Sequence, residues 1–424
     1  MDYYTTMEES RTITMQSELR GYIGQLSFHL NLPFHDGDPR ERFQIKVSES
    51  RDKLTVIDKV ANNSEDMELP ARISEHAAQY IVSEPSAAPN CISRDKKKMG
   101  FSYRLEVDQE HALALRQNSL NDDYVPWDAD YMKDRGDLLC RYCDYPVAHC
   151  GYGWRWRNLP SSNWADMMDL WHCHKPHSRE DQLQAAAEER SASRRGIGAG
   201  NRVVARRQAV YVDISTLLLS KDDCWTIKLE RTKPVIVGDK VRVPVICKGC
   251  GKTLGEWDQG NGYRLYKASL GLQVTDSHGW LSVESHPTEE IIAAQMLECV
   301  DRENISHFIV HTGRKLGKVL WLFNKDLRYS MVSVDCTVNN RRAIKVHYRD
   351  IADAQEALRT GLIGEEYRHI PRDLEEIFVP DNLWEDLIVA LKVSTEGLPH
   401  KHRKWGEWDV GYLPRYEPRR SDNS

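Results

Sequence analysis

A chain of 424 residues with 40% apolar and 29% charged content is long enough for two or three domains with real cores, which excludes a disordered or fibrous protein. Its formal charge of −6 gives no global attraction to nucleic acid, so any such contact has to use a local patch and direct binding is not expected. No stretch reaches the length of a membrane span, and MDYYTTMEESR at the start lacks the basic and apolar parts of a signal peptide, so the expected compartment is cytoplasm or nucleus. There the ten cysteines read as thiols and metal ligands rather than disulfides.

Residues 1–134 read as a β-rich N-terminal domain. Runs at 22–32, 54–60, 80–83 and 101–107 alternate apolar with polar residues or are β-branched, and a sandwich or open barrel is their natural packing. His35, Asp36 and Asp38 can be drawn as metal ligands, but DGDP is turn chemistry and a plain loop is expected. The segment 135–177 opens with LLCRYCDYPVAHC, where Cys140 and Cys143 form a C-x-x-C turn that lets two thiolates approach one ion. One such turn is half a site. Cys150 has no such context and reads as a spare thiol.

The rest of that segment is LPSSNWADMMDLWHCHKP, residues 159–176. Pro160, Ser161, Ser162 and Asn163 carry turn and cap chemistry, Asp166 follows where free amides favour an acid, and a helix is expected to begin near Asn163. Trp164, Met168 and Trp171 share one face with Met167 beside them, which by itself describes a core helix. Pro176 stops it. The consecutive His172, Cys173 and His174 cannot all face one ion, because helical neighbours lie about 100° apart and extended neighbours oppose each other. At most two share a metal, leaving Cys173 to point outward. Residues 178–208 are charged, then arginine-rich, and read as a linker; their GIGAG follows no strand and is no dinucleotide loop.

A second β segment, 209–283, holds strands at 209–219 and 225–229 and then VRVPVICKGCGKTLGEWD. Cys247 and Cys250 form its C-x-x-C turn, with Gly249 and Gly251 supplying the backbone freedom such turns use. With Cys140 and Cys143 they complete four thiolates, the donor set of one structural zinc that is closed to chemistry and adds folding energy. Soft ligands disfavour magnesium and calcium, and the absence of a third C-x-x-C disfavours an iron–sulfur cluster. The rival arrangement joins Cys140 and Cys143 to Cys173 and His172 or His174. The C-terminal domain, 284–424, is mixed α/β, with helices at 287–304, 351–362 and 382–393 and strands at 307–311, 318–324 and 342–348. Cys299 falls on its first helix and Cys336 in a strand-like run, both as small buried hydrophobes. Trp405, Trp408, Tyr412 and Leu413 form an aromatic tail that either docks on the body or meets a partner. The expected class is thus α+β: β-rich N-terminal and central segments joined by a zinc-binding pair of knuckles, followed by an α/β domain. Hydrolase triads, P-loops, zincin, deaminase and kinase motifs are missing.

Together LPSSNWADMMDLWHCH, CRYC, VICKGCGKTLGE and VLWLFN resemble the HECT-like ubiquitin-conjugating-enzyme (E2)-binding protein family, from about Leu19 to the C-terminus. The resemblance is specific in the LPSxNW block and the second knuckle and weak in the first hundred residues and in 178–207. It implies an E3 ubiquitin ligase or E2 adaptor whose partners are an E2 and ubiquitin. It also implies a partner of the metallo-β-lactamase-type endonuclease of pre-mRNA cleavage and polyadenylation. In that second role Leu159, Pro160, Asn163, Trp164, Met168, Trp171, Cys173 and His174 match a motif that enters the nuclease site, with Cys173 reaching its metal. A ligase working through a thioester needs an exposed, activated cysteine near its C-terminal lobe. Downstream of the knuckles only Cys336 and Cys299 are available, and neither has a histidine or helix N-terminus beside it. A purely structural interaction scaffold without transfer activity is the alternative.

Overall fold

The computed structural model describes residues 13–418 apart from 21–22, 37, 84–90, 95–97, 112–124, 134, 160–202, 232–233, 238–239, 259, 276–278, 334–335 and 364–372. It is a β-rich α+β protein in two units. Unit one comprises Met1–Tyr124, Met296–Phe378 and Glu385–Ser424; unit two comprises Val125–Gln295 and Val379–Trp384.

Unit one is built on a ten-stranded sheet whose centre is a long antiparallel hairpin, Gly317–Val332 and Thr337–Ile351. Thr14–Arg20 pairs with Gly317–Val332, and Gln25–Pro33, Lys98–Glu106 and Cys91–Arg94 follow outward. The N-terminal strands do not close into a barrel: their first strand extends a sheet begun by the C-terminal third, and a second N-terminal sheet shares a core with that face. On the other flank the aromatic tail adds Trp408–Pro414 and Lys404–Trp405, burying Trp408 and Tyr412, so it docks on the body. His307–His311 pairs with Gly317–Val332 and, in parallel, with Leu374–Phe378. A three-stranded sheet, Phe43–Val47, Lys53–Asp58 and Asn63–Glu68, sends Phe43, Ile45, Leu54, Val56 and Met67 into a core shared with Leu26, Phe28, Leu30 and Tyr103.

Residues 80–83, expected as a strand, instead close the helix Glu75–Ser83. Ser74 caps it through Oγ, which accepts from the amide of Ala77 at 3.1 Å. Ala77 and Ile81, four apart, face the core, a helical period that the short YIVS run hides. In the loop at 35–38, Asp38 caps the short helix Pro39–Arg42 and meets Arg40. The helices expected at 287–304, 351–362 and 382–393 form as Thr288–Glu303, Ala354–Thr360 and Asp381–Gly397. No helix among the described residues is long and apolar enough to cross a membrane.

Unit two is made of short strands in two sheets. The eight-stranded sheet runs Arg155–Asn158, Ala209–Val212, Thr216–Leu219, Gly262–Tyr266, Thr253–Asp258, Lys240–Cys247, Ile227–Leu229, with Val235–Val237 also on Lys240–Cys247. The four-stranded sheet runs Leu281–Glu284, Leu270–Thr275, Leu138–Cys140, Pro146–Ala148. Their shared core gathers Trp127, Leu138, Val147, Val210, Leu217, Val245, Leu254, Leu265 and Leu270. Inside unit two, fully buried Lys267 donates from Nζ to the Pro126 carbonyl at 2.8 Å, and burial pushes its amine down to about 7.

Candidate metal centre

Cys140 ends the strand Leu138–Cys140 and Cys247 ends Lys240–Cys247, so each sheet of unit two delivers one C-x-x-C turn at a strand tip. The two turns have the same backbone. The Asp144 amide donates to the Cys140 carbonyl at 2.9 Å, and the Gly251 amide to the Cys247 carbonyl at 3.0 Å. Each turn is closed by the amide of its first cysteine, to Tyr145 at 2.8 Å and to Lys252 at 3.0 Å. The residue after the second cysteine is left-handed in both, with φ of 53° at Asp144 and 75° at Gly251. Glycine adopts that conformation freely, and aspartate is among the side chains that tolerate it.

This backbone aims amides at sulfur. The Gly249 amide donates to Cys247 Sγ at 3.3 Å, and the amides of Tyr142, Tyr145 and Lys252 do the same for Cys140, Cys143 and Cys250. Such donors favour thiolates. Burial acts the other way and pushes the Cys140 thiol up, while the neighbouring amide and thiols lower Cys250 against its own partial burial. A metal ion resolves that opposition by taking the thiolates as ligands.

The four sulfurs lie within 4.8 Å of one another, with Cys140 to Cys250 at 3.6 Å and Cys143 to Cys247 at 3.7 Å. A disulfide needs about 2.05 Å. A zinc–sulfur bond of about 2.3 Å gives a tetrahedral edge of about 3.8 Å, so the donor set and its spacing fit a four-coordinate soft metal such as zinc. Cys140 and Cys247 are buried, Cys143 and Cys250 exposed. A metal held by all four would have no open position, the coordination of a structural rather than a catalytic site.

Neighbouring side chains pack the two turns together. A Cβ on Gly249 would stand 3.1 Å from Tyr145 Cγ and 3.3 Å from Cys143 Sγ, so a side chain there would press on the first turn and Tyr145 would have to give by a few tenths of an ångström. Arg141 donates to the carbonyls of Ala268 and His286, and Asn382 donates to Tyr142 Oη at 2.9 Å and to the Thr253 carbonyl at 3.2 Å. Asn382 was invisible as a site residue from sequence, since it lies far along the chain on an ordinary helix start. Asp144 was readable, because it occupies after CRYC the place that Gly251 occupies after CKGC.

The other candidates fare differently. Cys150 and Cys224 are buried, and burial raises both thiols, that of Cys224 to about 12. Cys299 is buried and pushed up to about 12 by burial and by Glu375. Cys336 is half-buried in the turn of the long hairpin, its amide and carbonyl both bonded to Ser333. Leu159 is anchored, its amide donating to the Val212 carbonyl at 2.7 Å and its side chain packing with Val203 and Ala205 on Ala209, Tyr211 and Leu218. Pro160, Asn163, Trp164, Met168, Trp171, Cys173 and His174 lie outside the described residues, as does the helix expected near Asn163.

Residues 18–410 match the family described as HECT-like ubiquitin-conjugating enzyme (E2)-binding. The chain belongs to that family. Among its relatives, an uncharacterized Saccharomyces cerevisiae protein is 20% identical over 87% of this chain and 92% of its own length. An uncharacterized Schizosaccharomyces pombe protein is 23% identical over 69% of this chain and 78% of its own length. No solved structure matches.

Proposed function

We propose that this HECT-like E2-binding protein acts in the ubiquitin pathway, in cytoplasm and nucleus, as a zinc-clamped adaptor that holds an E2 and leaves the transfer chemistry to it. One structural zinc per chain sits on Cys140, Cys143, Cys247 and Cys250. The observation that carries the adaptor reading is the burial of three of the four thiols that the described residues place outside the cluster, the fourth, Cys336, being half-buried in a hairpin turn. Cys150, Cys224 and Cys299 are buried with raised pKa values, the opposite of what a thioester nucleophile needs. The test is a ubiquitin-charging assay with E1, a cognate E2 and the full chain, alongside Cys299→Ser and Cys336→Ser. The expected result is no reducible ubiquitin adduct on the chain. An adduct abolished by either substitution would establish a ligase with its own thioester and overturn the adaptor reading.

A second role follows from the motif resemblance, that of partner to the mRNA 3′-end processing endonuclease. What favours it is the anchoring of Leu159, the first residue of the motif, whose amide donates to the Val212 carbonyl and whose side chain packs on the sheet. In this reading Cys173 is a ligand for the partner's metal. Cys173→Ala is expected to weaken capture of purified endonuclease by at least about tenfold with zinc content unchanged; unchanged capture removes the role.

A further inference from the structure

The aromatic tail of unit one is not wholly spent on docking. Trp408 and Tyr412 are buried, but Trp405 is 51% exposed, and Phe323 on the long hairpin is 53% exposed. Between these two rings lies His347, 3% exposed, stacked on Phe323 at 4.6 Å and 13° and on Trp405 at 5.3 Å and 30°. Trp321 stands edge-on to all three, with centroids 5.1 to 5.7 Å away. The imidazole thus floors a slot walled by two larger, half-exposed rings. Both walls are fixed by backbone. Val346 pairs with Leu322 and Lys345 with Asn324, so Phe323 is the extra residue of a β-bulge, a device that re-aims a side chain. Trp405 pairs with Trp408 across a two-residue loop whose first residue, Gly406, has the positive φ of 57° that such loops use.

Polar atoms at the cluster lack partners. Nδ1 of His347 and Nε1 of Trp408, whose ring lies 6.1 Å from that of Trp321, are buried with no hydrogen-bond partner among the described residues. The indole N–H of half-exposed Trp405 has no acceptor among them either. The surrounding charges select the kind of occupant. Lys345 is tied to Glu18 at 2.8 Å, Lys404 to Asp409 at 3.5 Å and Lys325 to Asp301 at 2.8 Å. Arg403 donates to the carbonyls of Leu398 and Glu396, and Arg349 lies over Trp408 and donates to the Ile363 carbonyl. Exposed Lys401 and Glu407 flank the hairpin with opposite sign, and burial keeps His347 neutral. With its lysines matched and its arginines engaged by carbonyls, the slot lacks the basic track that a nucleic-acid backbone needs. A cationic ligand would meet Lys345, Lys404 and Arg349. An uncharged ring with acceptors beside it meets neither obstacle. A proline-rich segment has that chemistry: in a polyproline II helix its rings pack on aromatic walls, and its unbonded carbonyls accept from an indole N–H.

We infer that Phe323, His347 and Trp405 form a docking slot for a proline-rich segment of a partner protein, with one proline ring over His347 and a peptide carbonyl on the Trp405 indole N–H. The slot lies within unit one and stands apart from the E2-binding reading. Walls already held by a bulge and a tight hairpin lose little conformational entropy when the segment binds.

The test is fluorescence polarisation of labelled decaproline and a set of Pro-x-x-Pro decapeptides with the zinc-loaded full chain, with Trp405→Ala and with Phe323→Ala. Circular dichroism and the denaturation midpoint serve as fold controls. Wild type is expected to bind at least one proline-rich probe, and no Gly/Ser peptide of the same length. Each folded variant is expected to lose at least about tenfold in affinity. In spectra of the 15N-tryptophan-labelled chain, the indole signal assigned to Trp405 through Trp405→Phe should move on binding. Should Trp405→Ala fail to fold, that signal decides, and one that stays put under saturating peptide overturns the slot. So does a wild type that binds no proline-rich probe at millimolar concentration, or a folded Trp405→Ala that binds as wild type does. Binding of a single-stranded oligonucleotide that depends on Trp405, without peptide binding, would assign the rings to base stacking and overturn the inference.

Discussion

The two units reach order by different means. Unit one rests on length: strands of 16 and 15 residues form its central hairpin, and the chain's first described strand and its last both add to that sheet. Unit two rests on junctions: its strands run from 3 to 8 residues, and two sheets are joined where four sulfurs from two turns meet. Short strands make few ladder bonds each, so a cross-link at their tips carries a larger share of the stability than it would in a long hairpin. The lesson is that the metal centre belongs to one unit's folding.

The largest expected effect breaks unit two and spares unit one. Chelation, or Cys247→Ser, is expected to remove the zinc proposed for this site and with it several kcal/mol of folding free energy, on the order of what structural zinc contributes. Hydrogen exchange is expected to lose protection in Leu138–Cys140 and Lys240–Cys247 while Gly317–Val332 keeps its own. Metal content should fall from one zinc per chain to none in Cys247→Ser and stay at one in Cys173→Ser. The reverse pattern would establish the rival set that recruits Cys173.

Unit one has a different weakness, to acid. His29 is buried against His402, with ring centroids 4.1 Å apart, and burial first, then His402, holds its pKa down at about 3; Glu18 opposes this and Lys345 adds to it. His347, wedged between Phe323 and Trp405, is lowered to about 4, mainly by burial and then by Lys345. Both stay neutral when folded and take a proton near pH 6.5 when unfolded. Below pH 6.5 the unfolded state therefore binds more protons, and stability falls as pH drops towards 4, on the order of 1–3 kcal/mol per histidine. Denaturation midpoints of unit one between pH 7 and 4 check this, and His29→Gln should flatten the slope. A slope unchanged by both His29→Gln and His347→Phe would show that these rings are not what acid attacks.

Local chemistry was legible in the sequence and long-range pairing was not. The four cysteines announced themselves by spacing and softness, and the C-terminal helices by period and caps. The pairing of Met15 with Val332 leaves no mark in either segment, since a strand's alternation says which face is buried and nothing about which neighbour it meets. The helix Glu75–Ser83 was misread because four apolar-rich residues fit either period. Asn382 joins the knuckle through Tyr142 only after the chain has passed through unit one, a juxtaposition that only the fold creates.

The smallest expected effect tests whether the two knuckles are one motif used twice. If they are, the place after the second cysteine must be left-handed in both, and glycine should serve better than aspartate in the first. Asp144→Gly exchanges a non-glycine residue at φ 53° for one without that steric cost, and removes a negative charge beside two thiolates. The gain is reduced because glycine also frees the unfolded chain, so a net stabilisation of up to about 1 kcal/mol is expected. The reciprocal Gly251→Ala puts a Cβ at φ 75°, where space is open but the backbone is not, and should cost about 1 kcal/mol. Both shifts are read from denaturation midpoints of the zinc-loaded protein. Opposite signs support a common turn, whereas a Gly251→Ala variant as stable as wild type would mean that only the first knuckle constrains its backbone and that the clamp is asymmetric.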